Sequence, residues 1–141
     1  MTTAEKVTAG AAIALGLFAL ANGLVMLAAP QQWFWRVPGV STSGGYNQHF
    51  IRDIGMIYAL IGASFLIGIR AKSQRAALWS FSAAWLAAHA LFHFWEVAVG
   101  ICGTDAIPRD FPGVTAPAIV AVLLAASAWR PLRMGSGSSP E

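Results

Sequence analysis

Four long apolar segments constrain the fold of this chain more than any other feature. They cover residues 7–29, 50–69, 76–101 and 111–129, and each has about the ~20 residues that a helix needs to cross a bilayer. Hydrophobic residues make up 57% of the 141-residue chain and charged residues only 11%, whereas soluble domains carry about 25% charged residues. The sequence therefore predicts an all-α integral membrane protein, a four-helix transmembrane bundle with up-down topology.

The chain length suits one compact unit without a separate soluble domain. We expect a single transmembrane domain over residues 1–133 and a flexible tail over 134–141, which reads MGSGSSPE. The first apolar segment is longer than the ~7–15 residues of a signal-peptide core, so we expect it to remain as a helix. The single cysteine, Cys102, excludes an intrachain disulfide and a C-x-x-C redox centre. We interpret it as an inert thiol.

Basic residues predict the orientation, because cytoplasmic connections carry an excess of Lys and Arg. Four spans place both termini and the second connection on one side, which holds six basic residues, against three on the other. The six are Lys6, Arg70, Lys72, Arg75, Arg130 and Arg133, and the three are Arg36, Arg52 and Arg109. We therefore expect both termini in the cytoplasm and the protein as a multi-pass component of the bacterial inner membrane. Expected partners are the lipid bilayer and either a second copy or another membrane protein; the diffuse net charge of +3 argues against nucleic acid.

The first outer connection is rich in aromatic and turn residues. Trp33, Phe34 and Trp35 suit the headgroup level, where aromatic side chains are enriched. We expect a short interfacial helix over residues 31–37.

Five ionisable residues lie inside or directly beside the apolar segments and carry the only chemical signal. His49 and Asp53 lie at the start of the second segment, with His49 directly before its first residue, and His89, His93 and Glu96 are in the third. A charged side chain deep in a span costs roughly 2.5–3.5 kcal/mol on insertion scales, so such residues usually serve a function. The alternation of spans places both groups at the outer end of adjacent antiparallel helices. Within each helix the spacing of three, four or seven residues keeps them on one face, so we expect the five to converge.

Their chemistry predicts a metal site. Imidazoles and carboxylates are the usual nitrogen and oxygen ligands of transition metals, and bundles commonly build such sites from facing helices. We expect one or two ions of copper, iron or zinc, held first by the three histidines, with Asp53 and Glu96 completing the ligand set or acting as a base. The site could serve redox or hydrolytic chemistry. Three residues would support or cover it: Asn22, Arg52 and Met56.

Two other functions stay open at this point. The chain could be a non-enzymatic accessory or transport-related subunit, whose polar cluster relays protons or fixes helix packing. It could also be a non-covalent haem carrier with histidines as axial ligands, since the sequence has no C-x-x-C-H attachment site. Whether the protein is an enzyme stays open as well. Asp105, Arg109 and Asp110 are expected to make solvated loop contacts or to cover the site.

Two stretches resemble a known group of proteins. They read WRVPGVSTSGGYNQHFIRDIG, from Trp35 to Gly55, and AHALFHFWE, from Ala88 to Glu96. In these residues the chain resembles small bacterial four-helix membrane proteins, loosely DoxX-like. The resemblance implies a four-helix membrane bundle over nearly the whole chain and implies no particular activity.

Overall fold

The computed structural model describes residues 2–134, with side chains as far as Trp129. It confirms the all-α prediction, because 84% of the described residues are helical and residues 2–134 contain no strand. A 3-10 turn at Val40–Thr42 and a π-helical turn at Phe111–Thr115 join some of the helices. The helices in chain order are α1 (Thr3–Ala28), α2 (Pro30–Arg36), α3 (Gln48–Arg70), α4 (Arg75–Ala98), α5 (Ala106–Asp110) and α6 (Ala116–Met134).

Local capping explains where the helices differ from their predicted bounds. Helix α1 begins at Thr3 because Thr2 and Glu5 form a capping box, in which each side chain binds the backbone amide of the other residue. Helix α4 ends at Ala98, before the expected residue 101, because Gly100 takes a left-handed conformation with φ 79°. Apart from Met134, the expected flexible tail lies outside the described residues.

The short helix α2 packs against the end of α1. Pro30 occupies its first turn, where the missing amide costs nothing. The indole of Trp33 donates a hydrogen bond of 2.8 Å to the side-chain oxygen of Asn22, while Phe34 is buried and Trp35 is exposed. This helix covers nearly the same residues as the predicted interfacial helix.

Helices α1 and α3 make a very close antiparallel contact through glycines spaced by seven residues. A Cβ atom on Gly23 would lie 2.5 Å from the carbonyl oxygen of Gly55, and one on Gly62 would lie 2.6 Å from the carbonyl oxygen of Gly16. Small residues allow such an approach between helices in lipid. The face of α3 that carries Gly55 and Gly62 is therefore fixed against α1.

Helix α4 caps the end of α3. The guanidinium of Arg75 donates to the carbonyl oxygens of Gly68 and Ile69 at 2.7 and 2.8 Å, which satisfies carbonyls that the end of α3 leaves open. The buried indole of Trp79 donates to the carbonyl oxygen of Phe65 at 3.2 Å. These contacts make α3 and α4 an antiparallel hairpin.

The four long helices form a ring around one core. Each packs against two others, α1 against α3 and α6, and α4 against α3 and α6. The largest fully buried side chains are Met26, Phe65 and Trp79.

Three helical stretches are long and apolar enough to cross a membrane, namely Thr3–Ala28, Gln48–Arg70 and Ala106–Trp129. Helix α4 has 24 residues but is not among them. Its serines, histidines and Glu96 interrupt its apolar sequence. The helix that carries most of the candidate site thus falls short of the composition expected of a membrane-spanning helix.

Candidate functional site

Four of the five predicted metal ligands form two separate groups in the structure, and Glu96 joins neither. His49 pairs with Asp53 on α3, and His89 pairs with His93 on α4. Among residues 2–134, no three side chains of His, Cys, Asp or Glu are arranged to hold one metal ion. The two groups differ in burial and in hydrogen-bond partners.

His49 and Asp53 lie at the start of α3. Asn47 caps this helix by accepting hydrogen bonds from the backbone amides of His49 and Phe50, both at 3.1 Å. One turn separates the two side chains, and Nε2 of His49 lies 3.2 Å from Oδ2 of Asp53. The side chains are 87% and 46% exposed, so the pair faces away from the core.

The packing of α3 explains this outward direction. Gly55, Tyr58, Gly62 and Phe65 are all buried and define the inner face of the helix. Asp53 precedes Gly55 by two residues, which is a rotation of about 200° at 3.6 residues per turn. The close glycine contact with α1 therefore turns His49 and Asp53 to the opposite face.

The histidines of α4 form a stack with aromatic neighbours. The ring of His89 lies parallel to that of Trp85, with centroids 5.1 Å apart, and edge-on to that of His93 at 4.7 Å. Tyr58 of α3 approaches His89 edge-on at 6.4 Å. Within the described part of the chain, His89 makes ring contacts but no hydrogen bond. The spacing of four residues stacks these rings along one side of α4.

Asp110 connects this stack of rings to Arg109 on α5. Its Oδ2 lies 3.0 Å from Nδ1 of His93, and its two oxygens accept from Nε and Nη2 of Arg109 at 2.7 and 3.0 Å. An ionised carboxylate only accepts hydrogen bonds, so Nδ1 of His93 carries a proton here. The three side chains are partly buried, with 12% of Asp110, 28% of Arg109 and 30% of His93 exposed. We call Arg109, Asp110, His93 and His89 the outer polar chain, because the basic residues predict that this end of the bundle faces outward.

The sequence predicts that Asp110 makes solvated loop contacts or covers the site. It does not predict that Asp110 is the hydrogen-bond partner of a histidine. One signal for its true position was available. Asp110 directly precedes the fourth apolar segment, and His93 lies near the end of the third, so an antiparallel arrangement of these two segments brings the two residues to the same end of the bundle. Asp110 belongs to α5 rather than to a loop.

The connection between α2 and α3 packs on Arg109. Gly39 has a φ of 85°, a conformation that favours glycine. A Cβ atom on Gly39 would lie 2.6 Å from Cζ of Arg109, so the guanidinium rests directly on this turn. Arg109 thus joins the α2–α3 connection to the outer polar chain.

A cavity of about 10 Å³ adjoins the outer polar chain, and its polar lining comes from His93, Asp110 and Thr115. This volume fits about one water molecule, and three polar groups suffice to bind one. The outer polar chain therefore has a place for water next to its central hydrogen bond.

Glu96 is half-buried on α4 and contributes to neither group. Its backbone carbonyl accepts from the amides of Ile101 and Cys102 at 2.9 and 3.2 Å, which ends the helix. Its side chain makes no hydrogen bond or ion pair with another described residue.

Two of the three expected supporting residues have other partners, and the third is exposed. Asn22 binds Trp33 through its oxygen and lies 3.7 Å from the sulfur of Met26 through its nitrogen. Arg52 donates from Nε to the carbonyl oxygen of Leu27 at 3.1 Å and so caps α1. Met56 is exposed on the same face as Asp53.

Comparisons with known proteins add no assignment. No protein family, no curated protein and no solved structure matches this chain. The candidate site therefore has to be interpreted from its own geometry.

Proposed function

We propose that this chain is a multi-pass integral membrane protein of the non-enzymatic kind, an accessory or transport-related subunit whose outer polar chain relays protons. Four helices would span the membrane in up-down order: α1, α3, α4 and α6. Support comes from the three apolar helices and from the position of α4, which packs between α3 and α6. A helix of 24 residues is about 36 Å long at 1.5 Å per residue, enough to cross ~30 Å of hydrocarbon.

The orientation follows from the basic residues. The six that we assign to the side of the termini outnumber the three on the other side, which favours cytoplasmic termini in a bacterial inner membrane. The outer polar chain would then face the exterior.

The observation that carries the functional proposal is that the Asp110 carboxylate forms hydrogen bonds with two side chains at once. One carboxylate binds both Arg109 and the Nδ1 of His93, and the adjacent cavity has room for a water molecule. In the proposed relay, a proton from the exterior would pass through water in this cavity to the Asp110–His93 pair. His89 lies next in line, with its ring centroid 4.7 Å from that of His93.

Nuclear magnetic resonance with ¹⁵N-labelled histidine tests this relay, because the chain has only three histidines. The protein is placed in lipid nanodiscs, and the imidazole signal of His89 is followed after a change of pH. We expect the signal of His89 to follow the pH in the wild type and to respond at least tenfold more slowly in Asp110→Asn and His93→Leu variants. His49→Ala is the matched control, because His49 lies outside the outer polar chain. An unchanged response of His89 in both Asp110→Asn and His93→Leu would rule out the relay.

A metal ion at the same place is the second candidate, and one observation favours it. Asp110 binds Nδ1 of His93, which leaves Nε2 of that ring available as a ligand. A carboxylate that orients a ligating imidazole in this way is a regular feature of metal sites. His89 would be the second ligand, and a copper, iron or zinc ion would need further ligands from water or a partner. Elemental analysis of tag-free protein with and without His89→Ala distinguishes this candidate from a metal-free relay.

A further inference from the structure

The pair of His49 and Asp53 lies outside the outer polar chain. It offers two of the four ligands that a tetrahedral metal site requires. We infer that the pairs of two copies of this chain together bind one divalent transition-metal ion, and that this ion joins the copies as a dimer. This inference rests on the part of the proposed function that inserts every copy into the membrane in the same orientation. It does not depend on the proton relay.

The distance within the pair suits a shared metal ion. In a tetrahedral zinc site, metal–nitrogen and metal–oxygen lengths of about 2.0–2.1 Å place neighbouring ligand atoms ~3.3 Å apart. Nε2 of His49 and Oδ2 of Asp53 are 3.2 Å apart. Both atoms can therefore bind one ion while the helix keeps its geometry.

Within one chain the ligand set is incomplete. No third metal-binding side chain of residues 2–134 joins His49 and Asp53. The nearest base, Arg52, uses its Nε to cap α1 at Leu27 and does not bind the Asp53 carboxylate. Zinc generally takes four ligands, so two more have to come from outside this chain.

A second copy offers an identical pair at the right height. Multi-pass proteins insert with a single orientation, so two copies related by a two-fold axis along the membrane normal carry His49 and Asp53 at equal depth. In such a dimer the same surface faces itself. Two imidazoles and two carboxylates then surround the ion, and the two negative charges neutralise a divalent cation.

The surface of α3 that follows the pair along the helix is also suited to contact between two copies. Met56 and Leu60 continue the face of His49 and Asp53 at steps of three and four residues, and they are 49% and 68% exposed. This spacing is that of the seam between two packed helices. An ionisable pair on a lipid-facing surface is unfavourable, since such groups normally face protein or water, and a second α3 helix would cover it.

Zinc titration of tag-free protein in detergent micelles tests the inference, with light scattering to measure the protein mass and elemental analysis to measure bound metal. We expect one zinc ion per two chains and a shift from monomer to dimer as zinc is added. His49→Ala and Asp53→Asn should each weaken zinc binding about 100-fold or more, since even changes to groups behind the ligands cost 10–100-fold.

Two controls make the result specific. Gln48→Ala changes an exposed neighbour of the pair and should leave zinc binding unchanged. A double variant, His89→Ala with His93→Ala, should also keep the zinc-induced dimer, which separates this site from a metal site on α4. Zinc that still binds to the His49→Ala and Asp53→Asn variants, one zinc per monomer, or no binding at micromolar zinc would each overturn the inference.

Cross-linking gives an independent readout of the interface. In a Cys102→Ser background, Leu60→Cys should form an intermolecular disulfide on oxidation, at least fivefold more with zinc than with a chelator. Leu123→Cys is the matched control, because Leu123 on α6 is 65% exposed, close to the 68% of Leu60. Equal cross-linking at the two positions would contradict a dimer through α3.

Discussion

Asp110 joins three parts of the chain through one carboxylate group. It binds His93 on α4 and Arg109 on α5, and Arg109 in turn rests on Gly39 in the first outer connection. Hydrogen bonds to charged groups contribute more than those between neutral groups. The Asp110 carboxylate therefore holds the end of α4 to α5, and Arg109 extends this contact to the turn at Gly39.

The stability of the outer end should depend on this carboxylate. We expect Asp110→Asn to lower the free energy of unfolding by about 1.5–3 kcal/mol, because His93 and Arg109 lose a charged partner. The measurement is thermal or denaturant unfolding in detergent micelles, in the presence of a metal chelator.

Asp53→Asn is the matched control for that measurement. Asp53 also pairs with a histidine, but its side chain is 46% exposed and that of His49 is 87% exposed, and exposed ion pairs contribute little to stability. If Asp53→Asn destabilised the protein as much as Asp110→Asn, the structural role assigned to the outer polar chain would be wrong.

The histidines and carboxylates of the candidate site show what the sequence can predict and what it cannot. Spacing correctly groups His49 with Asp53 and His89 with His93, because residues four apart share a face of any helix. Spacing cannot tell which face of α3 packs inward. That choice is made by the contact of Gly55 and Gly62 with α1, which turns His49 and Asp53 outward. Asp110 escaped prediction as a partner of His93 because the two are 17 residues apart and meet only in the folded chain.

At the scale of elements, the contact between α1 and α3 depends on glycine. Gly16 and Gly23 of α1 lie against Gly62 and Gly55 of α3, with no room for a Cβ atom at any of the four positions. Hydropathy predicted that both helices exist, and their caps set where they begin and end. The closeness of their approach follows from the small residues, which the sequence also displays.

We expect Gly23→Ala to destabilise the protein by about 1–3 kcal/mol, because the added methyl group would push against the backbone of Gly55 and Ala59. The measurement is again unfolding in micelles. Gly10→Ala is the control on the same helix, since no atom lies within 4 Å of a Cβ at that position, and it should be neutral or slightly stabilising. Equal losses in the two variants would mean that α1 and α3 are not packed as described.

At the scale of the whole molecule, three apolar helices and α4 form one ring, and the histidines and their carboxylate partners lie at one end of it. Alternation of the apolar segments was enough to predict that His49, Asp53, His89 and His93 belong to the same end of the bundle. Whether α4 crosses the membrane is less visible in the sequence, because serines, histidines and Glu96 interrupt its apolar residues. Its packing between α3 and α6 supports a fourth span.

The sidedness of the two short connections around α4 is the most direct test of this account, which places the outer polar chain at the exterior of a four-span bundle. Two variants are made in a Cys102→Ser background, one with Thr104→Cys before α5 and one with Ser73→Cys between α3 and α4; both positions are exposed. Intact cells are treated with a membrane-impermeant maleimide, and permeabilised cells serve as the reference. We predict that Cys at position 104 is labelled in intact cells and that Cys at position 73 is labelled only after permeabilisation. Labelling of both positions from the same side would contradict the account, because α4 would then not cross the membrane.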